Sequence, residues 1–164
     1  MFAKALAIVR GSPASSPRAI RAILLLEEQS QLDRGDPQQA AETMKPYARE
    51  GSRPTLLLEA QIALAEAPPA ATGNARLTAQ AADLQTWVAL HPNDALAWTA
   101  LGQTWGRLGV PLRSLRAEAE SRYALGDLLG AVDRLRAGQR IARSGSGEVD
   151  FIDASVIDSR LRDI

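Results

Sequence analysis

Apolar side chains recur every three or four positions along most of this chain, and short runs of turn residues interrupt them. This period is that of an amphipathic helix, whereas the alternation typical of a strand never extends beyond about four residues. Pro, Gly, Ser, Asn and Asp mark the interruptions and divide the pattern into lengths that suit single helices. We therefore predict an all-α chain with helices at about 18–34, 37–50, 54–67, 75–90, 95–108, 111–125, 128–143 and 150–162.

Several helix starts carry the residues that satisfy free backbone N–H groups. Ser16 before a proline, and Asp36 before another, each pair an N-cap residue with a proline at the first helical position. Asp94 is a further predicted N-cap. Pro46 lies inside the second predicted helix, where we expect it to bend the helix because proline cannot donate to the backbone ladder.

Composition narrows the possible functions. Apolar residues make up 46% of the chain, enough for a core, and aromatic residues only 4%, which favours packed helices over sheets. The 19 basic and 19 acidic side chains cancel, so we expect no nucleic-acid partner. No stretch is apolar enough for a membrane span. There is no cysteine and one histidine, His91, so the usual three or four zinc ligands are missing and no cofactor is expected.

Residues 95–109, ALAWTALGQTWGRLG, contain a pattern of large and small side chains. Trp98, Leu101, Gly102 and Trp105 match W-x-x-L-G-x-x-Y, with Trp105 in place of tyrosine. The segment resembles the first helix of a tetratricopeptide repeat. The rings would fill the gap beside the partner helix, the glycine would let two backbones approach, and Gly109 would allow the left-handed turn that follows.

Weaker matches extend the resemblance. Gly126 with Ala131, and Gly35 with Ala40, fit the turn glycine and the small position of a second repeat helix. Gly109 and Gly126 lie only half a repeat apart, so we expect the helix between them to pack on both of its neighbours. The resemblance implies a tetratricopeptide-like array of about seven to eight antiparallel helices. We assign 1–15 to an N-terminal helix or linker, 16–143 to the repeat domain and 148–164 to a C-terminal capping helix.

The second half of the chain resembles the C-terminal tail of a bacterial peptidase family. The segments Arg-Ala-Glu-Ala-Glu at 116–120 and Asp-Ala-Ser-Val-Ile-Asp-Ser-Arg at 153–160 carry most of this likeness. The family is the periplasmic zinc metallopeptidases with an appended tetratricopeptide domain, the beta-barrel assembly-enhancing proteases. The resemblance implies a periplasmic location and a role in outer-membrane protein assembly and quality control. The zinc motif H-E-x-x-H is absent here, so zinc and catalysis would belong to the parent's peptidase domain.

The predicted function is therefore protein binding without catalysis. Tetratricopeptide arrays are curved, and their first helices line the concave side where peptides bind. In the best-defined repeat this inner face would carry Leu96, Thr99, Gln103, Gly106 and Arg107. The implied partners are the protease domain of the same protein, unfolded outer-membrane proteins or the assembly machinery. A free-standing adaptor that scaffolds a complex is the alternative, and a small helical enzyme has no residue cluster to support it.

The last predicted helix has a structural role of its own. Ile152, Val156, Ile157 and Leu161 are expected to face one way, after a Ser-Gly link at 144–147. An array leaves the apolar side of its final helix uncovered unless another element caps it. We predict that this helix folds back on the preceding one, near Val132, Leu135 and Ile141.

Overall fold

A computed structural model describes residues 4, 7, 8, 17–47, 51–144 and 151–164. Over these residues it contains no strand, and its helices bear out the all-α prediction. None of the helices in this described part is long and apolar enough to cross a membrane. The longer helices are α1 (Pro17–Asp33), α2 (Pro37–Met44), α3 (Arg53–Glu66), α4 (Ala75–Leu90), α5 (Ala95–Arg107), α6 (Pro111–Ala124), α7 (Leu128–Ser144) and α8 (Phe151–Asp163).

The chain forms two compact units, residues 1–66 and 67–164. The first unit contains α1, α2 and α3, each of which contacts the other two. Asp36 begins α2 as predicted, because its carboxylate accepts a hydrogen bond from the backbone N–H of Gln39 at 3.1 Å. The interior of this unit is built from Ala40, Met44, Leu58 and Ile62.

The prediction that the second helix runs to about residue 50 with a bend was wrong. α2 ends at Met44, and Lys45 to Tyr47 form a turn. Pro46 lacks the backbone N–H that a further helical turn needs. The proline therefore ends the helix instead of bending it.

The second unit is organised around α6, which packs extensively on both α5 and α7. This double partnership is the one expected from the half-repeat spacing of the turn glycines. Gly109 and Gly126 adopt φ angles of +76° and +81°, which a side chain would strain, and they let the chain reverse on each side of α6. Asp127 then begins α7 by accepting the backbone N–H of Gly130 at 2.9 Å.

The last helix, α8, folds back on α7 and also contacts α6. Ile157 is buried against Leu135, as the capping prediction requires, and Leu161 packs at the edge of the same cluster. The prediction for Ile152 was wrong, since this side chain is 74% exposed. It lies in the first turn of α8, before the helix reaches the apolar surface of α7.

Part of the predicted organisation lies outside the described residues. The predicted N-cap Ser16 lies outside the described part, and so does most of the N-terminal segment 1–15. Within that segment only Lys4, Ala7 and Ile8 are described, and all three are helical. Residues 145–147 of the predicted Ser-Gly link also lie outside the described part. The remaining helix bounds agree with the sequence predictions to within about two residues, the usual uncertainty of helix ends.

Candidate functional site

The residues that define the repeat pattern lie at the centre of the second unit. Trp98 is 7% exposed, and its indole N–H donates to the carbonyl oxygen of Pro92 at 2.8 Å. Leu101 and Ala131 are also buried, whereas Trp105 is only half-buried. A Cβ at Gly102 would lie 3.4 Å from the carbonyl oxygen of Ser114, so this glycine allows the close approach of α5 and α6.

The hydroxyl of Ser114 fixes that approach. It donates to the carbonyl oxygen of Gly102 at 2.8 Å, which ties the two helices together where their backbones are closest. Further along, the Ser121 hydroxyl donates to the carbonyl oxygen of Ala95 at 2.9 Å. These two bonds hold α5 and α6 in register, so the side chains along their shared edge have fixed positions.

The five predicted peptide-binding residues occupy different environments. Leu96 is 60% exposed, and Gln103 and Gly106 are exposed as well. The Thr99 hydroxyl lies 2.8 Å from the Ser121 hydroxyl and donates to the carbonyl oxygen of Ala95. Arg107 instead uses its guanidinium to hold the loop before α4, donating to the carbonyl oxygens of Ala67 at 2.8 Å and Pro68 at 3.3 Å.

Thr99 and Gln103 line an open groove of about 450 Å³ between α5 and α6, here called the α5–α6 groove. Its other walls were not predicted, since they come from α6 and the turn that follows. Their spacing along α6, at three- and four-residue steps, is the sequence signal that marks one helix face. They are Glu118, Ser121, Arg122, Leu125 and Asp127.

The polar end of the groove has a fixed ion pair. Arg122 donates to the Asp127 carboxylate at 2.8 Å. The backbone N–H of Gly130 and the Arg122 guanidinium together lower the pKa of Asp127. Both side chains are largely exposed, so this pair shapes the surface and contributes little to stability.

One exposed leucine lines the groove, and other exposed leucines lie near the lining residues in the sequence. Leu125, a lining residue, is 74% exposed, and Leu128 and Leu129 in the first turn of α7 are 50% and 82% exposed. Leu96 lies in the first turn of α5, which the Ser121 bond joins to the last turn of α6. Apolar side chains that remain in water at a groove mouth are typical of surfaces that bind another protein.

A second depression lies on another face of α5, and we call it the Trp–Arg cavity. It measures about 360 Å³ and is lined by α4, α5, α6 and the first turn of α8. Trp98 and Trp105 form its aromatic walls, and Arg113 and Arg116 its basic wall. The full lining is Thr78, Ala82, Gln85, Trp98, Leu101, Trp105, Arg113, Arg116, Ala117 and Asp153.

The described residues contain no cluster of three His, Cys, Asp or Glu side chains that could hold a metal ion. His91 ends α4, where its ring stacks on Trp87 at 3.9 Å and its Nδ1 lies 3.0 Å from the Trp87 carbonyl oxygen.

Both depressions of the second unit mix apolar and polar groups. The α5–α6 groove combines Leu125 with hydrogen-bonding groups, and the Trp–Arg cavity combines aromatic rings with guanidinium groups. Such mixtures of apolar and polar groups suit the binding of a protein segment. Comparisons of the chain with protein-family models and with curated proteins found no match.

Proposed function

We propose that this chain is a non-catalytic protein-interaction module that binds an extended peptide segment along the α5–α6 groove. The observation that carries the proposal is the open groove lined by Thr99 and Gln103 from α5 and by the exposed Leu125 from the turn after α6. The fold gains nothing from leaving Leu125 in water. A bound segment would bury it.

The polar groups in the groove support an extended segment in particular. A peptide backbone presents N–H donors and carbonyl acceptors at regular intervals, and both need partners once water is excluded. The Gln103 amide can supply a donor and an acceptor, and the Glu118 carboxylate can accept. An extended segment exposes its backbone to such groups, whereas a helical segment satisfies its backbone internally.

We further propose that the parent protein is a periplasmic zinc metallopeptidase active in outer-membrane protein assembly and quality control. The sequence likeness at 116–120 and 153–160 supports this assignment. The bound segment would then come from the protease domain, an unfolded outer-membrane protein or the assembly machinery. Sequencing the DNA upstream of the Met1 codon tests the assignment, since an in-frame H-E-x-x-H supports it and a stop codon contradicts it.

Binding in the groove can be tested with a displayed library of random twelve-residue peptides selected against the chain. Gln103→Trp fills the groove with a large ring at an exposed position that makes no contact to the core. Gln38→Trp is the matched control, because Gln38 is an exposed glutamine on α2 in the other unit. We expect selected peptides to bind the native chain and the control equally, and the Gln103→Trp variant at least about tenfold more weakly.

Two results would contradict the groove proposal. One is a selection that enriches no peptide above a carrier protein. The other is a set of peptides whose dissociation constants are the same for Gln103→Trp and the native chain, since such peptides would bind elsewhere.

A further inference from the structure

The basic wall of the Trp–Arg cavity contains an arginine with unused hydrogen-bonding capacity. Arg116 lines the cavity, and its Nε–H is fully buried without an acceptor among the described residues. A buried donor without a partner costs about 1–3 kcal/mol, so the fold itself does not use this guanidinium fully. Arg116 lines the cavity, and its guanidinium is the charged group that an acceptor entering the cavity would meet.

The neighbouring arginine already demonstrates how this wall binds a carboxylate. Arg113 donates from its Nε to the Asp153 carboxylate at 2.8 Å, and its guanidinium lies 5.0 Å from the centre of the Trp105 ring. The lining therefore contains two guanidinium groups and one carboxylate. One positive charge in the cavity is left without a counter-charge from the lining.

The remaining walls determine which side chain can accompany a negatively charged ligand group in the cavity. Trp98, Trp105 and Leu101 present apolar surface to the cavity, with Ala82 and Ala117 beside them. At about 360 Å³ the cavity is near the small end of ligand pockets, which run from about 300 to 1,000 Å³. A volume of this size has room for one or two residues.

We propose that the Trp–Arg cavity binds the C-terminal residue of a protein partner, with the terminal carboxylate on Arg116 and an apolar last side chain against the two tryptophans. This inference rests on the proposed protein-binding function and gives the chemistry of one part of the partner. A chain terminus combines a carboxylate with a side chain on one residue, and no chain has to leave the cavity. Asp153 on the rim stays paired with Arg113, so the new carboxylate meets the uncompensated charge.

The test is a library of random heptapeptides displayed with free C-termini. Enriched peptides are synthesised twice, once as the free acid and once as the C-terminal amide, and their dissociation constants are measured by calorimetry. We expect enrichment of apolar last residues. We also expect amidation to weaken binding about tenfold or more, the effect of losing a charge-assisted hydrogen bond.

Two variants identify the arginine. Arg116→Gln should weaken binding of the free acid about tenfold, while Arg116→Lys keeps the charge and should retain part of the affinity. Arg136→Gln is the matched control, because Arg136 is an exposed arginine on α7 in the same unit and does not line the cavity. Thermal unfolding followed by circular dichroism checks that each variant is folded.

The outcomes separate this inference from the groove proposal. Peptides that bind equally as acid and amide, or equally to Arg116→Gln and Arg136→Gln, overturn the cavity assignment. If such peptides still lose affinity for Gln103→Trp, the groove proposal stands without the cavity. Enrichment of internal Asp or Glu with no preference at the last residue also overturns the C-terminal assignment. If neither library enriches any peptide, both proposals fail.

Discussion

At the residue scale, Trp98 has both its ring and its indole N–H satisfied by the fold. The ring is 7% exposed, and the N–H reaches the Pro92 carbonyl oxygen at 2.8 Å. Because the bond spans the turn between α4 and α5, one side chain fixes the start of α5.

Replacing Trp98 with alanine should therefore lower the free energy of unfolding by about 3–5 kcal/mol, as for other large buried aromatic residues. Trp98→Phe keeps a six-membered ring but loses the hydrogen bond and part of the buried ring surface, so a smaller cost of about 1–2 kcal/mol is expected. Urea unfolding followed by circular dichroism measures both values. A loss below about 1 kcal/mol for the alanine variant would contradict the burial of this side chain.

A second residue, Glu28, is also buried, but unlike Trp98 it has no hydrogen-bond partner for its polar group among the described residues. The side chain on α1 has no exposed surface, and neither carboxylate oxygen has a hydrogen-bond partner among the described residues. Burial raises the pKa of Glu28 to about 7, with repulsion from Glu27 and Glu59 adding to the effect. The folded chain therefore holds this proton more tightly than the unfolded chain.

The first unit should consequently lose stability as the pH rises from about 4.5 to about 7. In that window the folded state binds the proton of Glu28 and the unfolded state does not, so stability falls with pH by about 3 kcal/mol in total. Below this window both states are protonated, and above it neither is, so the contribution of Glu28 is constant on either side. Hydrogen exchange of the α1 amides at pH 5 and pH 8, corrected for intrinsic rates, measures the change.

Glu28→Gln should remove this pH dependence, because an amide does not titrate. Glu42→Gln is the control, since Glu42 is an exposed glutamate of α2 in the same unit that pairs with Lys45 on the surface. If the α1 amides of the native chain show equal protection at both pH values, Glu28 is not the buried acid described here.

Residue patterns predicted the core of the second unit better than its surface. Trp98, Leu101 and Ala131 are buried because spacing along a helix determines which side chains share a face. The partners of Arg107 could not be predicted, because Ala67 and Pro68 are 40 and 39 positions away in sequence. Such contacts depend on how the chain is folded, which no local pattern contains.

At the scale of elements, α7 and α8 pack closely at a position where α7 has a glycine. A Cβ at Gly138 would lie 2.7 Å from Cδ1 of Ile157, well inside van der Waals contact. Gly138 is buried in the middle of α7, where glycine costs about 1 kcal/mol of helix stability relative to alanine. The glycine thus creates the space into which the buried Ile157 side chain of α8 inserts.

Gly138→Ala should change the stability of the second unit by less than about 1 kcal/mol, because Cδ1 of Ile157 is the end of a flexible side chain that can move aside and the gain in helix propensity offsets the remaining overpacking. Ile157→Val removes the Cδ1 methyl group and alone should cost about 1 kcal/mol. The same substitution should cost less in the Gly138→Ala background, since the added methyl fills the vacated space. Urea unfolding followed by tryptophan fluorescence reports on this unit, which contains all three tryptophans. Additive single and double effects would contradict direct contact at this site.

The docking of α8 can be tested with a matched pair on the same helix. Ile157→Ser places a hydroxyl in the buried cluster around Leu135 and should cost about 2–5 kcal/mol, whereas Ile152→Ser changes a side chain that is 74% exposed. We expect amide protection over 152–161 to fall sharply only in the first variant. An undocked α8 would also expose the apolar surface of α7, so light scattering should reveal association. Equal protection in the two variants would mean that α8 does not depend on this contact.

The ends of the elements, unlike their positions, were not all predictable. Gly35, Gly109 and Gly126 adopt positive φ angles and follow helices, in agreement with the predictions made from the sequence. The early end of α2 at Met44 follows from Pro46, whose effect on the helix can be either a bend or an end, and the exposure of Ile152 depends on where α8 meets α7. Local spacing shows that a residue can face a core, and only tertiary contacts decide that it does.

At the scale of the whole molecule, we predict that the isolated chain neither binds stoichiometric zinc nor cleaves protein. The sequence contains one histidine and no cysteine, and a protein zinc site normally takes three or four ligands. Elemental analysis after dialysis against zinc-containing and then zinc-free buffer measures the metal, and casein digestion measures peptidase activity. One zinc per chain, retained by a monomer, would contradict the prediction.

The hydrogen bonds from Arg107 to the residues before α4 determine where the second unit starts. The stretch 67–74 is rich in proline and alanine and has the composition of a flexible linker, yet Ala71 is buried and its N–H donates to the Arg107 carbonyl oxygen at 3.1 Å. The guanidinium of the same arginine holds Ala67. A fragment that begins at Ala75, the first residue of α4, would lack the residues that contact Arg107 at the end of α5. Expression of this unit by itself should start at Ala67, and limited proteolysis of the intact protein should spare the bonds inside the stretch despite its composition.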